Sequence, residues 1–325
     1  MNISLFQAEL LRWYEKEGRR TLPWRDRSMP NRPYRVLVSE IMLQQTQVKT
    51  ILEHYYFPFL QKFPTLESLA KASEEEVLLQ WRGMGYYTRA RHLLKCAKIC
   101  LRDFQGVLPD CVELLKTLPG IGSYTAGAVA CFGFDRAVCF VDSNIKRILI
   151  RLFALYNPTQ SLLESKAREI LNIQHPFNHN QALIDLGALI CTATNPKCLL
   201  CPVSEFCKGK EDLKALNLKK TPKSIKKSLH IGIFEKDSHI ALHKSQERLY
   251  YNLYNFPLLK SHQSLQKLGI LKHSYTKYLL DLHIYRVKNL ESLAQSVEFF
   301  NKESLQTIPI SSMTLKILEL LEKDF

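Results

Sequence analysis

Leu118-Pro119-Gly120-Ile121-Gly122 decides the fold of this chain, because it joins two helical patterns and no ordinary helix would contain it. Pro119 ends the first helix, and the two glycines permit positive φ angles and a close approach by another backbone. The next helix begins with free N–H groups and the positive end of its dipole, which suit a phosphate group. The stretch therefore predicts a helical hairpin, and Gly120 and Gly122 are candidate anion-binding positions at its turn.

Length and charge narrow the class of protein. The 325 residues are enough for two domains, each with its own core. A formal net charge of +14 favours a polyanionic partner and says little about the fold. Residues 1–20 form an amphipathic helical pattern without the apolar core of a signal peptide, and no run reaches membrane-spanning length. We expect an intracellular, cytoplasmic protein without a membrane partner.

The periodicity of apolar residues changes near residue 210. Residues 1–210 are predicted to be almost wholly helical, and a helical pattern over 34–60 is interrupted near Pro58. A lysine-rich linker is predicted over 211–228. Residues 229–325 predict a smaller α+β domain, with strands at 231–234, 240–243 and 280–285 and helices at 264–268 and 314–321. The predicted fold is mainly α, with an additional α+β domain.

Four of the nine cysteines are candidate metal ligands. Cys191, Cys198, Cys201 and Cys207 lie within seventeen residues, spaced C-x6-C-x2-C-x5-C. In a reducing compartment such clustering indicates metal ligation rather than disulfides. Zinc and iron–sulfur clusters both accept four thiolates. The single C-x2-C pair and the six-residue first gap favour the larger iron–sulfur cluster over zinc.

A second glycine-containing loop, Arg82-Gly83-Met84-Gly85-Tyr86-Tyr87-Thr88-Arg89-Ala90-Arg91, is an improbable core segment. A ring such as Tyr86 can be inserted between stacked bases while arginines such as Arg89 hold phosphates. The alternative is a glycine turn before a surface helix. The residue types favour a DNA-contacting loop.

Two carboxylates are candidate catalytic groups. Glu40 has Val36, Leu37 and Leu43 within one turn, and a carboxyl on an apolar helix face favours its protonated form, as a general acid requires. Asp142 follows a short apolar run and precedes another helical pattern, so it can stay ionised as an N-cap. Two such acids suit the cleavage of a glycosidic bond through an oxocarbenium-like state. The alternatives are a surface glutamate paired with Arg35 or Lys49 and an ordinary helix-capping aspartate.

Together these motifs closely resemble the adenine DNA glycosylases of the helix-hairpin-helix superfamily, which remove adenine mispaired with 8-oxoguanine. The resemblance is strong over residues 1 to about 210 and weak beyond them. The matching motifs, in order, are Trp24-Arg25, Ser39-Glu40-Ile41-Met42-Leu43-Gln44-Gln45-Thr46-Gln47, Gly83-Met84-Gly85-Tyr86-Tyr87, Leu118-Pro119-Gly120-Ile121-Gly122 and the cysteine spacing. The resemblance implies a helix-hairpin-helix glycosylase fold and a [4Fe–4S] cluster on the four cysteines. It also implies that the partner is duplex DNA with adenine opposite 8-oxoguanine or guanine. We expect a monomer associated with the nucleoid.

The same resemblance implies individual roles. Glu40 would protonate adenine at N7, and Asp142 would stabilise the oxocarbenium ion with help from Asn144 and Tyr124. The remaining positions would bind substrate: Arg25, Gln45 and Asp185 around the flipped base, and Tyr86 as a wedge beside the 8-oxoguanine. Chemistry on a base in duplex DNA requires such extrusion into a pocket.

Residue 124 distinguishes the competing hypotheses. The related endonuclease III enzymes, which act on oxidised pyrimidines, carry a Schiff-base lysine there, whereas this chain has Tyr124. Tyr124 therefore favours a monofunctional enzyme that uses water over a pyrimidine glycosylase and lyase. A third hypothesis is a non-catalytic DNA-binding protein that uses its cluster as a redox or iron sensor. It would leave Glu40 and Asp142 dispensable.

The chain departs from the family pattern in two places. Ser143 replaces the glycine that usually follows the catalytic aspartate. The C-terminal domain resembles the Nudix fold without a run of glutamates, so we expect it to bind without hydrolysing. Where the family reads 8-oxoguanine with a Phe-Ser-His turn, the aligned residues are Tyr275-Thr276-Lys277. Thr276 keeps a hydroxyl for this contact.

Overall fold

A computed structural model describes residues 1–213, 216, 224–247, 250–275 and 278–321. The chain divides into two compact units. The first comprises Met1–Lys71 and Lys95–Lys219, and the second comprises Ala72–Leu94 and Lys220–Phe325. A short segment from within the helical half of the sequence therefore belongs to the C-terminal unit.

The first unit is built from helices. They are α1 (Ile3–Glu17), α2 (Arg32–Leu43), α3 (Val48–His54), α4 (Tyr56–Lys62), α5 (Leu66–Lys71), the greater part of α7 (Thr88–Asp103), α8 (Val112–Leu115), α9 (Ser123–Phe134), α10 (Ser143–Phe153), α11 (Gln160–Ile170) and α12 (Pro176–Leu189). The prediction of a mainly helical N-terminal part is confirmed. Among the described helices, none is both long and apolar enough to cross a membrane.

Helix α9 lies in the centre of this unit, buried on all sides from Thr125 to Gly133. Its small residues allow this position. A Cβ on Gly127 would come within 2.7 Å of the Phe140 Cβ. Because α2 packs directly on α9, the two helices bring distant parts of the sequence together.

The predicted hairpin joins α8 to α9. Gly120 has φ +78°, the left-handed conformation that favours glycine. Gly122 does not use this freedom, since its φ is −86° as the N-cap residue of α9. A Cβ on Gly122 would meet nothing within 4 Å, so the N-terminus of α9 stays open to a ligand.

One helix boundary differs from prediction. The pattern over 34–60 is broken after Leu43, where α2 ends, in addition to the break at Tyr55 between α3 and α4, three residues before Pro58. Pro58 lies in the first turn of α4, where its missing N–H has no helical partner to lose.

The second unit contains α6 (Glu74–Gln80), the start of α7, two sheets and α13 (Ser312–Leu321). In one sheet β6 (Tyr278–Arg286) lies between β1 (Ile225–Ile233), to which it is parallel, and the antiparallel β5 (Gln266–Tyr275). In the other, β3 (His239–Lys244) pairs antiparallel with β2 (Glu235–Lys236), β4 (Tyr254–Asn255) and β7 (Glu298–Phe300). The α+β prediction for this region is confirmed.

The helix predicted over 264–268 is wrong, because β5 begins at Gln266 and pairs with β6 through a bulge between Lys267 and Gly269. Two apolar residues three apart, Leu265 and Leu268, fit a helical spacing over one turn only. Pairing along the edge of β6 overrides such a weak local signal.

Candidate active site

Glu40 and Tyr124 meet where α2 packs on α9. Glu40 is 7% exposed, and the Tyr124 hydroxyl donates a hydrogen bond of 2.6 Å to Glu40 Oε2. Burial raises the pKa of Glu40 to about 7, although the Tyr124 hydrogen bond opposes the rise. The nearby Asp142 charge raises this pKa further. A carboxyl that titrates near neutrality is suited to general acid catalysis.

Tyr124 keeps its proton. Burial and the charges of Glu40 and Asp142 hold its pKa well above its ordinary value. Its ring packs edge-to-face on Phe140 with centroids 5.5 Å apart, which fixes its direction. Because Tyr124 donates to Oε2, a proton on Glu40 belongs on Oε1.

Asp142 is the N-cap residue of α10, as the sequence predicts. Its Oδ1 accepts from the Ile145 N–H at 2.6 Å, and its Oδ2 accepts from Asn144 Nδ2 at 2.9 Å. Burial raises the pKa of Asp142, and these hydrogen bonds with the Arg147 charge oppose that rise. The carboxylate is therefore fixed through both oxygens.

These residues line a cleft of about 600 Å³ in the first unit. The cleft wall contains Trp24, Arg25, Glu40, Gln44, Gln45, Tyr124, Asp142, Asn144 and Gln181, among others. Gln45 has φ +59°, a strained conformation for a residue other than glycine, and it directs the chain out of α2. Among the described residues that line this cleft there is no lysine.

Asp185 lies behind the cleft wall. It is fully buried, and Arg25 donates two hydrogen bonds to it, from Nη1 to Oδ2 at 2.7 Å and from Nη2 to Oδ1 at 2.9 Å. Arg19 adds its backbone N–H and its Nε, both at 2.8 Å. Burial raises the pKa of Asp185, but Arg25 and Arg19 outweigh burial and hold this pKa below its usual value. Asp185 therefore orients Arg25, which lines the cleft, rather than lining it itself.

Arg147 was not among the predicted site residues. Its Nη2 donates to Asn144 Oδ1 at 2.8 Å and to the Gly187 carbonyl at 2.6 Å, and its Nε donates to the Cys191 carbonyl at 2.6 Å. Asn144 in turn donates to Asp142, so hydrogen bonds run from the Cys191 carbonyl to the Asp142 carboxylate. The available sequence signal was spacing, since residues three apart share a helix face.

The four cysteines surround a small cavity of about 30 Å³, with Cys191 just beyond α12 and the others in the turns that follow. The described residues contain no three ligand side chains grouped closely enough for a single metal ion. Arg151, 2% exposed, donates from Nη1 to Cys191 Sγ at 3.2 Å. Four thiols around a shared space, with a cation against one sulfur, fit an anionic iron–sulfur cluster.

In the second unit, the Tyr86 side chain packs against the guanidinium of Arg89. The Arg89 guanidinium lies over both the Trp81 ring, at 5.4 Å, and the Tyr86 ring, at 5.5 Å. Burial lowers the pKa of Arg89 to about 10, which leaves it charged at neutral pH. Thr276, the candidate for reading the opposite base, lies outside the described residues.

Two segments of the chain match family models of known proteins. Residues 38–172 match the family model of the HhH-GPD superfamily base excision DNA repair proteins. Residues 191–207, which contain all four cysteines, match the iron–sulfur binding domain of endonuclease III. The chain therefore carries a [4Fe–4S] cluster, and this segment is matched to its binding domain.

Curated relatives and solved structures match longer parts of the chain. The adenine DNA glycosylase of Buchnera aphidicola subsp. Baizongia pistaciae is 36% identical over 99% of this chain and 98% of its own length. The human adenine DNA glycosylase is 41% identical over 64% of this chain and 40% of its own length. A thermostable thymine-DNA glycosylase matches in structure with a TM-score of 0.59 and 28% identity, over 64% of this chain and 96% of its own. A trapped endonuclease III–DNA covalent intermediate, with a TM-score of 0.55 and 21% identity over 64% of this chain and 94% of its own, shares the fold. The chain belongs to the adenine DNA glycosylase family, base excision repair enzymes of the helix-hairpin-helix superfamily that act on DNA.

Proposed function

We propose that the enzyme removes adenine mispaired with 8-oxoguanine or guanine, and that it is monofunctional, with water completing the reaction. The observation that carries this proposal is the pair of buried carboxylates in one cleft. Glu40 has a pKa of about 7 and a fixed hydroxyl donor, and Asp142 has both oxygens fixed. Such a pair suits glycosidic cleavage.

Glu40 acts as the general acid. Near neutral pH a carboxyl with this pKa is protonated in a large fraction of molecules, and its proton lies on Oε1 because Tyr124 occupies Oε2. Transfer of that proton to N7 of an extruded adenine turns the base into a neutral leaving group. Breaking the N-glycosidic bond then leaves positive charge on the sugar.

Asp142 stabilises that positive charge. Hydrogen bonds from Asn144 and the Ile145 N–H favour the carboxylate over the carboxylic acid. They also stop the side chain from rotating, so it needs little reorganisation when the cation forms. Water then adds to the sugar carbon, its released proton returns to the Glu40 carboxylate, and an abasic site results.

The absence of lysine from the described cleft lining supports the monofunctional proposal over the lyase alternative. A lyase requires an amine that forms a Schiff base with the opened sugar. The corresponding position is Tyr124, whose hydroxyl is already committed to Glu40.

The cluster supplies a covalent cross-link of the 191–207 loop and a redox-capable centre when bound. Arg147 and Asn144 connect that loop to Asp142 by hydrogen bonds. The open N-terminus of α9 suits a phosphate of the DNA backbone. Glu40, Tyr124 and Asp142 of the same chain line a single cleft, and we propose that the enzyme works as a monomer, associated with the nucleoid.

Single-turnover cleavage tests this function. Duplexes with adenine opposite 8-oxoguanine, adenine opposite guanine, or thymine glycol opposite adenine are incubated with wild type and Glu40→Gln, with and without alkali. We expect breaks only after alkali, only from the two adenine duplexes, and lost in Glu40→Gln. Breakage of the thymine glycol strand without alkali would refute the proposal in favour of the lyase. No cleavage of any duplex by cluster-loaded protein would favour the sensor hypothesis.

A further inference from the structure

We propose that the C-terminal region holds the Tyr86 loop in its working shape, and that Arg82 and Tyr87 are the positioning residues that link the two. The inference rests on the proposed function, because it concerns how the enzyme responds to the base opposite adenine. By "Tyr86 loop" we mean residues 82–87. This loop lies inside the matched glycosylase family model, 38–172, yet it belongs to the same compact unit as the C-terminal residues.

The Tyr86 loop has an energetically unfavourable backbone. Gly83 and Gly85 have φ +87° and +76°, and Tyr86 itself has φ +49°. A residue with a Cβ adopts that conformation at a cost and keeps it only where surrounding contacts require it. The shape of the Tyr86 loop therefore depends on contacts from outside the loop.

Tyr87 supplies the first contact. Its hydroxyl accepts from the Gly83 N–H at 3.2 Å and donates to the Ile310 carbonyl at 3.1 Å, so one oxygen closes the loop and ties it to the C-terminal region. Tyr87 is 1% exposed, and Ile310 is fully buried. The acceptor is itself fixed, since Pro309 and Ser311 on either side of Ile310 hydrogen-bond to Tyr254 of β4.

Arg82 supplies the second contact at the other end of the loop. Its Nη1 donates to the Leu305 carbonyl at 2.7 Å. Leu305 lies in the short helical turn Ser304–Gln306, whose first N–H donates to Asn301 Oδ1 at 2.8 Å. Burial lowers the pKa of Arg82, in keeping with a half-buried guanidinium committed to a protein carbonyl.

A third group of contacts anchors the helices that flank the loop. Arg91 of α7 bonds the Tyr251 carbonyl and pairs with Glu74 of α6 at 3.0 Å. Asn252 also donates to Glu74, at 3.3 Å. The Tyr86 loop is thus held at both ends and at both flanking helices by residues 251–310.

This arrangement assigns the C-terminal region a second task besides contacting the opposite base. A change in residues 305–310 alters the shape of the loop that presents Tyr86, because the same carbonyls hold that loop. Selectivity for the opposite base therefore depends on Tyr87 and Arg82, although neither needs to touch that base.

The test uses full-length, cluster-loaded Tyr87→Phe, which loses only the hydroxyl. Tyr156→Phe is the matched control, since its exposed hydroxyl donates to Asp212 in the first unit. Two quantities are measured: the ratio of single-turnover rates for adenine opposite 8-oxoguanine and opposite guanine, and the fluorescence of a 2-aminopurine beside the 8-oxoguanine, which reports unstacking. We expect Tyr87→Phe to lower the rate ratio about fivefold, as the loss of the two hydrogen bonds of this buried hydroxyl supports, and to reduce the fluorescence gain. Tyr156→Phe should match wild type in both.

Arg82→Met gives a second, independent test, because it keeps the apolar stem and removes the guanidinium. If Arg82 held a phosphate, the slope of log affinity against log salt would fall by about one. We expect an unchanged slope with a lowered rate ratio. The proposal is overturned if Tyr87→Phe leaves both ratio and fluorescence as in wild type, or if both rates fall equally with unchanged fluorescence. Failure of the proposed function gives a different result. The wild type would then release no adenine, while the fluorescence would still report the effect of the loop on base stacking.

Discussion

The hydrogen bond from Tyr124 to Glu40 allows a quantitative prediction for Tyr124→Phe. In the wild type, the 2.6 Å hydrogen bond stabilises the charged form of Glu40 and so opposes the effect of burial. The pKa of Glu40 is nevertheless raised to about 7. Hydrogen bonds to charged groups contribute about 1.5–3 kcal/mol, and one pKa unit corresponds to about 1.4 kcal/mol. Removal of the hydroxyl should therefore raise the Glu40 pKa by about one to two units.

The direction of the shift in the pH profile depends on which protonation form of Glu40 is active. The general acid works while protonated, so the excision rate falls as the pH rises through the pKa of Glu40. For wild type the alkaline limb of the rate profile should lie near pH 7. For Tyr124→Phe it should move to about pH 8–9, whatever happens to the plateau rate.

The assay is single-turnover release of adenine over a pH series, with each reaction quenched in alkali. Tyr34→Phe is the matched control, since this buried tyrosine also lies in the first unit but donates to the Phe63 carbonyl. The alkaline limb of Tyr34→Phe should lie at the same pH as that of the wild type. A limb for Tyr124→Phe that stays in place or moves to lower pH would refute the assignment of Glu40 as the titrating acid.

Three further predictions follow from the same contacts. Asp142→Asn keeps an acceptor for the Ile145 N–H but removes the negative charge, so the plateau excision rate should fall by at least about a hundredfold. Because that charge also raises the Glu40 pKa, the alkaline limb should move to lower pH than in the wild type, measured on the same pH series. Arg147→Met should lower excision about tenfold while the visible absorbance of the cluster persists, whereas Arg102→Met, at an exposed arginine paired with Asp103, should change neither. Asp185→Asn should destabilise the protein by about 3 kcal/mol in denaturant unfolding at neutral pH, because it leaves Arg25 buried without its counter-charge. Since the folded pKa of Asp185 is below its ordinary value of 3.8, this difference should disappear as the pH falls through the lowered pKa.

Local motifs in the sequence predicted the parts of this site that lie on single elements. Glu40 was identifiable from its apolar helix face, Asp142 from its position before a helix, and the cysteines from their spacing. Each depends on neighbours within a few residues, which a sequence displays directly.

What the sequence could not provide were contacts between distant segments. Arg19 and Arg25 meet Asp185 across about 160 residues, and no periodicity encodes that pairing. Likewise, nothing local indicates that residues 72–94 join the C-terminal unit. The strand at 266–275 was missed for the same reason, since its conformation is set by β6 rather than by its own composition.

The stretch that decides the fold also positions a residue of the proposed catalytic site. Tyr124 is the second residue of α9, two positions after Gly122, so the turn proposed to hold a phosphate also directs the hydroxyl that bonds Glu40. Close packing of α2 on α9 brings Glu40 within reach of that hydroxyl, and Gly127 leaves room for Phe140, which fixes the Tyr124 ring. A larger residue at Gly127 would displace Phe140 and with it the ring whose hydroxyl lowers the pKa of the acid. We therefore propose that the small residues after the hairpin serve catalysis as well as packing, because they allow the contacts that hold Tyr124 against Glu40.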